Sequence, residues 1–270
     1  MPELPEVETS RRGIEPHIID TRVARVIVRN RSLRWPVSKS VDQNLLGKTI
    51  SSVSRRAKYL LINTEGGSAI LHLGMSGSVF IVDRNTPAGI HDHVDIDFDS
   101  GKTLRFRDPR RFGSLHFSKN PLQHKLLHSL GPEPLGDDFD GAYLWEKSRG
   151  RRVSIKQFIM NAQVVVGVGN IYASESLYMA CINPRRAAGR VALQRYELLA
   201  DAIREVLANA IKAGGTTLRD FYGGDGEAGY FQQQLEAYGR EGEPCRRCNT
   251  EIRSIVQGQR STYYCKQCQT

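Results

Sequence analysis

Hydrophobic and polar positions change rhythm along the chain. Between Arg22 and Phe117 the signal is strands, with a period of two where it is clearest. Val94, Ile96 and Phe98 alternate with His93, Asp95 and Asp97, and the alternation resumes at Leu104 and Phe106 after Asp99-Ser-Gly101. Such alternation marks half-buried strands, with Asp-Ser-Gly as the turn between them. Val26-Ile27-Val28, Tyr59-Leu-Leu-Ile62 and Val79-Phe-Ile-Val82 read as further strands. Their regular spacing predicts a sandwich or barrel with little helix. Ahead of them, Pro5 to about Ile18 reads as a short helix, with proline in its first turn and Glu6 and Glu8 early.

Beyond Gly131-Pro-Glu-Pro134 the period becomes helical. Leu198, Leu199, Ala202, Ile203, Val206, Leu207, Ala210 and Ile211 form an apolar stripe, closed by Gly214-Gly215. A shorter helix fits Ser154 to Asn161, and another begins at Asn170. Gly223 to Gly229 is glycine-rich and expected to be a loop. The sum is an α+β chain.

With 270 residues, 40% hydrophobic and 25% charged, the composition is that of a globular protein and excludes a disordered or collagen-like one. The length suits two domains and a small third. No apolar run approaches the roughly 18 residues of a membrane helix. The acidic start, Met1-Pro2-Glu3-Leu4-Pro5-Glu6, is not that of a secretory signal. A net charge of +9 suits a nucleic acid or an anionic membrane without choosing between them.

The cysteines are more specific. Cys245-Arg-Arg-Cys248 and Cys265-Lys-Gln-Cys268 have the spacing of a two-knuckle zinc site. Four thiolates leave no open position, so one structural Zn²⁺ per chain is expected and no catalytic metal. Two disulfides are the alternative, disfavoured in a reducing compartment. Cys181 reads as a small buried hydrophobe.

Candidate chemistry lies elsewhere. Removal of Met1 would leave Pro2 as a secondary amine. An α-amino group titrates at about 7.7–8.0 against about 10.4 for lysine, so far more of it is nucleophilic at neutral pH. The plainer reading is a frayed end. Glu3 could act as an acid beside it. Gly167-Val-Gly169-Asn170 could hold a phosphate at a helix start, or Asn170 could simply cap the helix. Asp108-Pro-Arg-Arg-Phe-Gly113 sets guanidiniums beside an aromatic, either a wedge that replaces an extruded base or a surface turn with a core Phe. Met75 alone reads as packing, and Lys58 as a solvated charge. His72, His91 and His93 read as structural or phosphate-contact groups rather than metal ligands. Arg260, between the cysteine pairs, suits a phosphate contact at a hairpin tip.

Taken together, Pro2-Glu-Leu-Pro-Glu-Val7, Arg56-Ala-Lys-Tyr59, Leu71-His-Leu-Gly-Met-Ser-Gly77, His91-Asp-His93, Asp108–Gly113, Val166-Gly-Val-Gly-Asn-Ile-Tyr-Ala173, Gly214-Gly-Thr-Thr-Leu218 and the four cysteines resemble the bacterial formamidopyrimidine-DNA glycosylase family over the whole chain. The resemblance implies an N-terminal catalytic β-sandwich domain (1–131), a helix-two-turns-helix DNA-binding domain (132–236) and a zinc finger (237–270). It implies removal of oxidised purines from damaged double-stranded DNA, and strand cleavage by β,δ-elimination through a Schiff base on Pro2. Glu3 would assist at the sugar, Lys58 in proton transfer at β-elimination and Arg260 at δ-elimination. Met75, Arg110 and Phe112 would fill the void of the flipped base. His91, Arg110, Arg151 and Asn170 match DNA-contact positions. Glu6, Thr216, Thr217 and Tyr222 fall where the family holds the damaged base. A cytoplasmic, nucleoid-associated monomer with no membrane partner is expected.

Two features depart from this pattern. With Met1 attached, Pro2 is a tertiary amide and cannot attack. At position 151 the family often carries Lys, and Arg keeps the charge with different geometry. Two rival readings are the sister enzyme endonuclease VIII and a zinc-finger protein that binds damage without cutting. Leu4 and the Met75, Arg110 and Phe112 set argue against the first. Intact Pro2, Glu3, Lys58 and Arg260 argue against the second.

Overall fold

The computed structural model describes residues 2–214 and 235–270, which fall into two compact units. The first runs through His128. It opens with helix α1 (Leu4–Ile18), one residue earlier than its proline predicts, because Glu3 serves as N-cap. Val7, Ser10, Ile14 and Ile18 form its buried stripe. Strand β1 (Val23–Val28) and a short helix α2 (Lys39–Leu45) follow, α2 capped by the Ser38 hydroxyl.

Among the described residues seven further strands follow: β2 (Ser52–Arg56), β3 (Tyr59–Thr64), β4 (Gly67–His72), β5 (Ser78–Asp83), β6 (Asp92–Phe98), β7 (Lys102–Arg107) and β8 (Ser114–Ser118). They form two four-stranded sheets, ordered β1-β6-β7-β5 and β2-β3-β4-β8, with antiparallel pairing throughout. Val79, Val94, Ile96, Leu104 and Phe106 of one sheet share a core with Leu60, Ile62, Leu71 and Leu115 of the other. The N-terminal region is therefore a sandwich, with α1 and α2 contributing Ile14, Ile18, Val41 and Leu45 to the same core.

One expectation fails on β6. Alternation predicts a wet polar face, but all seven residues are buried. The Arg105 guanidinium donates to both oxygens of Asp95 at 2.9 Å, Arg29 reaches Asp95 at 2.7 Å, and Thr103 donates to Asp97 at 2.7 Å. Arg25 of β1, Arg29 just beyond it and Arg105 of β7 cover the acids, so the polar face is closed by charge rather than by water.

The second unit holds Ser129–Lys212 and the described residues from Leu235 onward. Its helices are α3 (Gly141–Ser148), α4 (Ile155–Ile159), α5 (Asn170–Met179) and α6 (Leu193–Lys212), and its last two strands, β9 (Ile252–Gln257) and β10 (Arg260–Cys265), pair as a hairpin. The α4 helix is shorter than expected, and α6 starts earlier than its apolar stripe. Leu198, expected in that stripe, is 56% exposed: it lies one residue off the Leu199, Ala202, Ile203, Val206 face. The fold is α+β, with a β-sandwich, a helix-two-turns-helix segment over α4 and α5, and a C-terminal hairpin. No described helix is long and apolar enough to cross a membrane.

Candidate functional site

In the first unit the chain start is built in, not frayed. Pro2 is buried, and Glu3 and Glu6 are 4% and 1% exposed. Glu6 Oε2 accepts the Glu3 N–H at 2.8 Å, while the Glu3 carboxylate accepts the Glu6 N–H. This reciprocal capping box fixes the Pro2–Glu3 peptide at the helix start. It also places Glu6, expected at the damaged base, against the backbone of Glu3.

Lys58 lies at the tip of the β2–β3 hairpin, where Arg56 pairs with Tyr59 and only Ala57 and Lys58 make the turn. Ala57 takes φ 55, a region that costs a residue with a Cβ. A chain of contacts holds that conformation. Arg55 donates to the Ala57 carbonyl at 2.9 Å and to Glu8 of α1 at 3.2 Å. The helix that begins after Pro2 and the turn carrying Lys58 are thus tied together. Burial alone would raise the Glu8 carboxyl, but hydrogen bonds from Arg11 and Arg12 and the Arg55 charge hold it below its usual range.

Behind Lys58, the His72 ring lies tilted against Tyr59 with ring centres 4.8 Å apart, and its Nδ1 accepts the Gly74 N–H at 3.0 Å. Burial first, and then the charges of Lys58 and Arg34, push His72 down to about 4. It is neutral at physiological pH and presents Nε2–H. His93 is buried with its ring nitrogen 2.8 Å from the Asp108 carbonyl, and His91 is exposed.

Two loops present the wedge residues. A Cβ at Gly74 would lie 2.4 Å from the Gly113 nitrogen, so the 73–77 and 108–113 loops touch through their backbones. Asp108, fully buried, accepts from Ser76 Oγ at 3.0 Å and from the Gly113 N–H at 2.7 Å. Around this hub Met75 and Phe112 stand 42% and 40% exposed, and the Arg110 guanidinium lies 5.0 Å from the Phe112 ring centre. Phe112 is therefore not a core residue. Asp108 and Ser76 stand in motifs quoted from the sequence, but nothing in it gave either a role of its own.

In the second unit Asn170 does not cap its helix: Gly169 is the N-cap. Its side chain crosses to the hairpin, donating to the Ser261 carbonyl at 3.1 Å and to Tyr238 Oη at 3.3 Å. Lys156 completes the arrangement. It is 1% exposed, and Nζ donates to Asn170 Oδ1 (2.7 Å), the Ser261 carbonyl (3.0 Å) and Thr262 Oγ1 (2.8 Å). A buried ammonium so placed orients Asn170 and locks it to the strand that starts at Arg260. Sequence reasoning missed Lys156, because a lysine on a short amphipathic helix looks solvated. Arg260 and Arg151 are both exposed.

The four cysteine sulfurs lie within 4.8 Å of one another, with 3.5 Å between Cys248 and Cys265 and 3.9 Å between Cys245 and Cys268. A tetrahedral zinc with Zn–S near 2.3 Å requires about 3.8 Å between sulfurs, far from the roughly 2.05 Å of a disulfide. Burial and the neighbouring sulfurs push the Cys265 and Cys268 thiols up, whereas Thr250 draws Cys248 down to about 6. Four thiolates this close coexist only around a cation, so the donor set fits Zn²⁺. Cys181 stands outside this set. It is half-buried rather than buried, with φ 57, and its sulfur accepts from Arg247 at 2.9 Å.

The structure thus groups Pro2, Glu3, Glu6, Lys58, Met75, His91, Arg110 and Phe112 in one unit, and Arg151, Asn170, Arg260 and the cysteines in the other. Thr216, Thr217, Tyr222 and the glycine-rich 223–229 stretch lie outside the described residues.

Residues 1–115 match the family described as formamidopyrimidine-DNA glycosylase N-terminal domain, 130–222 the formamidopyrimidine-DNA glycosylase H2TH domain, and 242–270 the zinc finger found in FPG and IleRS. Over 269 residues the chain is 59% identical to the formamidopyrimidine-DNA glycosylase of Stutzerimonas stutzeri, covering 100% of both. Two Lactococcus lactis Fpg structures are similar over 100% of both chains at 34% identity. One, a variant with DNA containing Fapy-dG, gives a TM-score of 0.91, and the other, with DNA containing an abasic site, gives 0.90.

Proposed function

Because the chain belongs to the formamidopyrimidine-DNA glycosylase family, we propose that Pro2 is the nucleophile of its reaction and that Glu3, Lys58 and Arg260 move the protons. The protein is a DNA-formamidopyrimidine glycosylase of base excision repair. One structural zinc belongs to its hairpin, held by Cys245, Cys248, Cys265 and Cys268, where it supplies folding energy to a segment with little core. Its partner is damaged DNA, as in the Fpg complexes.

The observation that carries the proposal is the buried Pro2 held before a capping box. Once Met1 is removed, the amine lone pair attacks C1′ of the flipped nucleoside. The glycosidic bond breaks, the base leaves with a proton, and O4′ takes up another as the sugar ring opens, leaving an iminium. The cation acidifies the C2′ proton. Its removal expels the 3′ phosphate, and a second elimination expels the 5′ phosphate. Glu3, beside the amine, supplies acid and base at the sugar. Lys58, on the turn tied to α1, serves the first elimination, and Arg260 the second. Met75, Arg110 and Phe112 occupy the vacated stack; extrusion costs a few kcal/mol that such wedges offset. His91, Arg151 and Asn170 contact the backbone, while Glu6, Thr216, Thr217 and Tyr222 serve the damaged base. The division 1–131, 132–236 and 237–270, monomeric action and a cytoplasmic, nucleoid-associated location complete the reading.

Pro2→Gly tests it. Release of 8-oxoguanine from a duplex should fall at least about a hundredfold, with duplex affinity within a few fold of wild type. Equal excision by the variant would remove Pro2 from the mechanism.

A further inference from the structure

The second unit holds a cavity of about 690 Å³ lined by Asn183, Arg185, Arg186, Ala187, Arg190 and Thr270. The three arginines are exposed, and among the described residues none of their side chains has an ion pair or a hydrogen bond. Their backbone is the opposite of loose. Asn183 Oδ1 accepts the Arg185 N–H at 3.0 Å, Ile155 N–H donates to the Arg186 carbonyl at 2.7 Å, and Arg190 N–H donates to Ala187 at 2.9 Å. Tyr196 Oη donates to the Ala188 carbonyl at 3.0 Å. Three free guanidiniums on a pinned loop form a preorganised anion site. Even with a carboxylate at Thr270, the cavity stays net positive. No aromatic ring lines it, so it offers nothing for a base to stack on. Guanidiniums without a stacking platform recognise phosphate rather than sequence.

The loop is also continuous with residues already assigned to DNA. Gly189 N–H donates to the Arg151 carbonyl at 2.9 Å. At its other end, Gln257 Nε2 reaches the Pro184 carbonyl at 3.4 Å, just before the turn that leads to Arg260. We propose that Arg185, Arg186 and Arg190 form a second phosphate site, which grips the DNA backbone outside the lesion and lengthens the duplex footprint. This inference rests on the DNA-binding reading above.

The test uses the full-length protein and the triple variant R185A/R186A/R190A. Affinity is read by fluorescence anisotropy across a salt series, on abasic-site duplexes of about one and about three helical turns (roughly 10 and 30 base pairs). On the long duplex the variant should bind about tenfold more weakly and lose roughly one unit of salt slope per contact. On the short duplex affinity and base release should match wild type. An unchanged slope on the long duplex overturns the proposal. So does inorganic phosphate that binds wild type but not the variant while long-duplex affinity is equal, since the cavity would then serve a free anion. Wild type that binds neither duplex overturns the DNA reading as well.

Discussion

At the scale of single residues, Lys156 and His72 show how burial and partners set the charge state of a side chain. Lys156→Met would take the Lys156 donor from Asn170 Oδ1 and Thr262 Oγ1 and leave the Ser261 carbonyl to Asn170 alone, at about 1–3 kcal/mol for each acceptor left unpaired. Thermal unfolding should show the loss, and DNA affinity should fall with it as Asn170 keeps only its bonds to Ser261 and Tyr238; full stability would contradict the assignment. His72 makes a pH prediction. Its folded value, about 4, lies below the ordinary 6.5. Between these values the unfolded ring takes up a proton that the folded one refuses, so stability present at neutral pH declines as pH falls from 6.5 to about 4. His116 and His124, lowered mainly by burial, act in the same direction. His72→Asn should flatten the dependence of melting temperature on pH in that window, and an unchanged slope would refute the linkage. None of this was legible in the sequence. A buried lysine and a solvated one look alike until the hairpin that supplies their acceptors is in place.

Secondary-structure elements were easier to read where they were long. The period of two gave β6 and β7, short apolar runs gave β1, β3 and β5, and the period of 3.6 gave α6. Helices α2 and α3 were missed, because seven and eight residues carry too few turns to establish a stripe. On β6 the alternation was right and its meaning wrong, since a polar face looks the same whether water or arginine covers it. That face supports a stability prediction. Asp95→Ala removes the two-oxygen partner of the Arg105 guanidinium, 3% exposed, leaving it Asp92 at 3.6 Å and the Thr86 and Pro87 carbonyls, and should cost about 1–3 kcal/mol in denaturant unfolding. The paired apolar replacement D95L/R105M should recover much of that loss; if it does not, the charges matter for more than mutual burial. The zinc hairpin behaves as an element of its own. Chelation should release amide protection across β9 and β10 and abolish DNA binding, whereas the β-sandwich amides stay protected. Retained protection without metal would remove zinc from the account.

For the whole molecule, local pattern and function part company. A net charge of +9 left nucleic acid and membrane open, and Pro2 alone read more simply as an end. Only the ordered set of motifs, matched across the full chain, converted them into a DNA-repair enzyme. The fold then shows how those motifs are held. The capping box fixes Pro2, Glu8 and Arg55 tie it to the turn of Lys58, and Asp108 knots the loops of Met75 and Phe112. The central claim is that the free Pro2 amine becomes covalently joined to the sugar. Borohydride trapping on a duplex bearing 8-oxoguanine, followed by peptide mapping of the adduct, tests it most directly. The account predicts a stable protein–DNA adduct on the N-terminal peptide at Pro2, formed only by chains that have lost Met1. An adduct on a lysine, or an adduct of equal yield from chains retaining Met1, would contradict it.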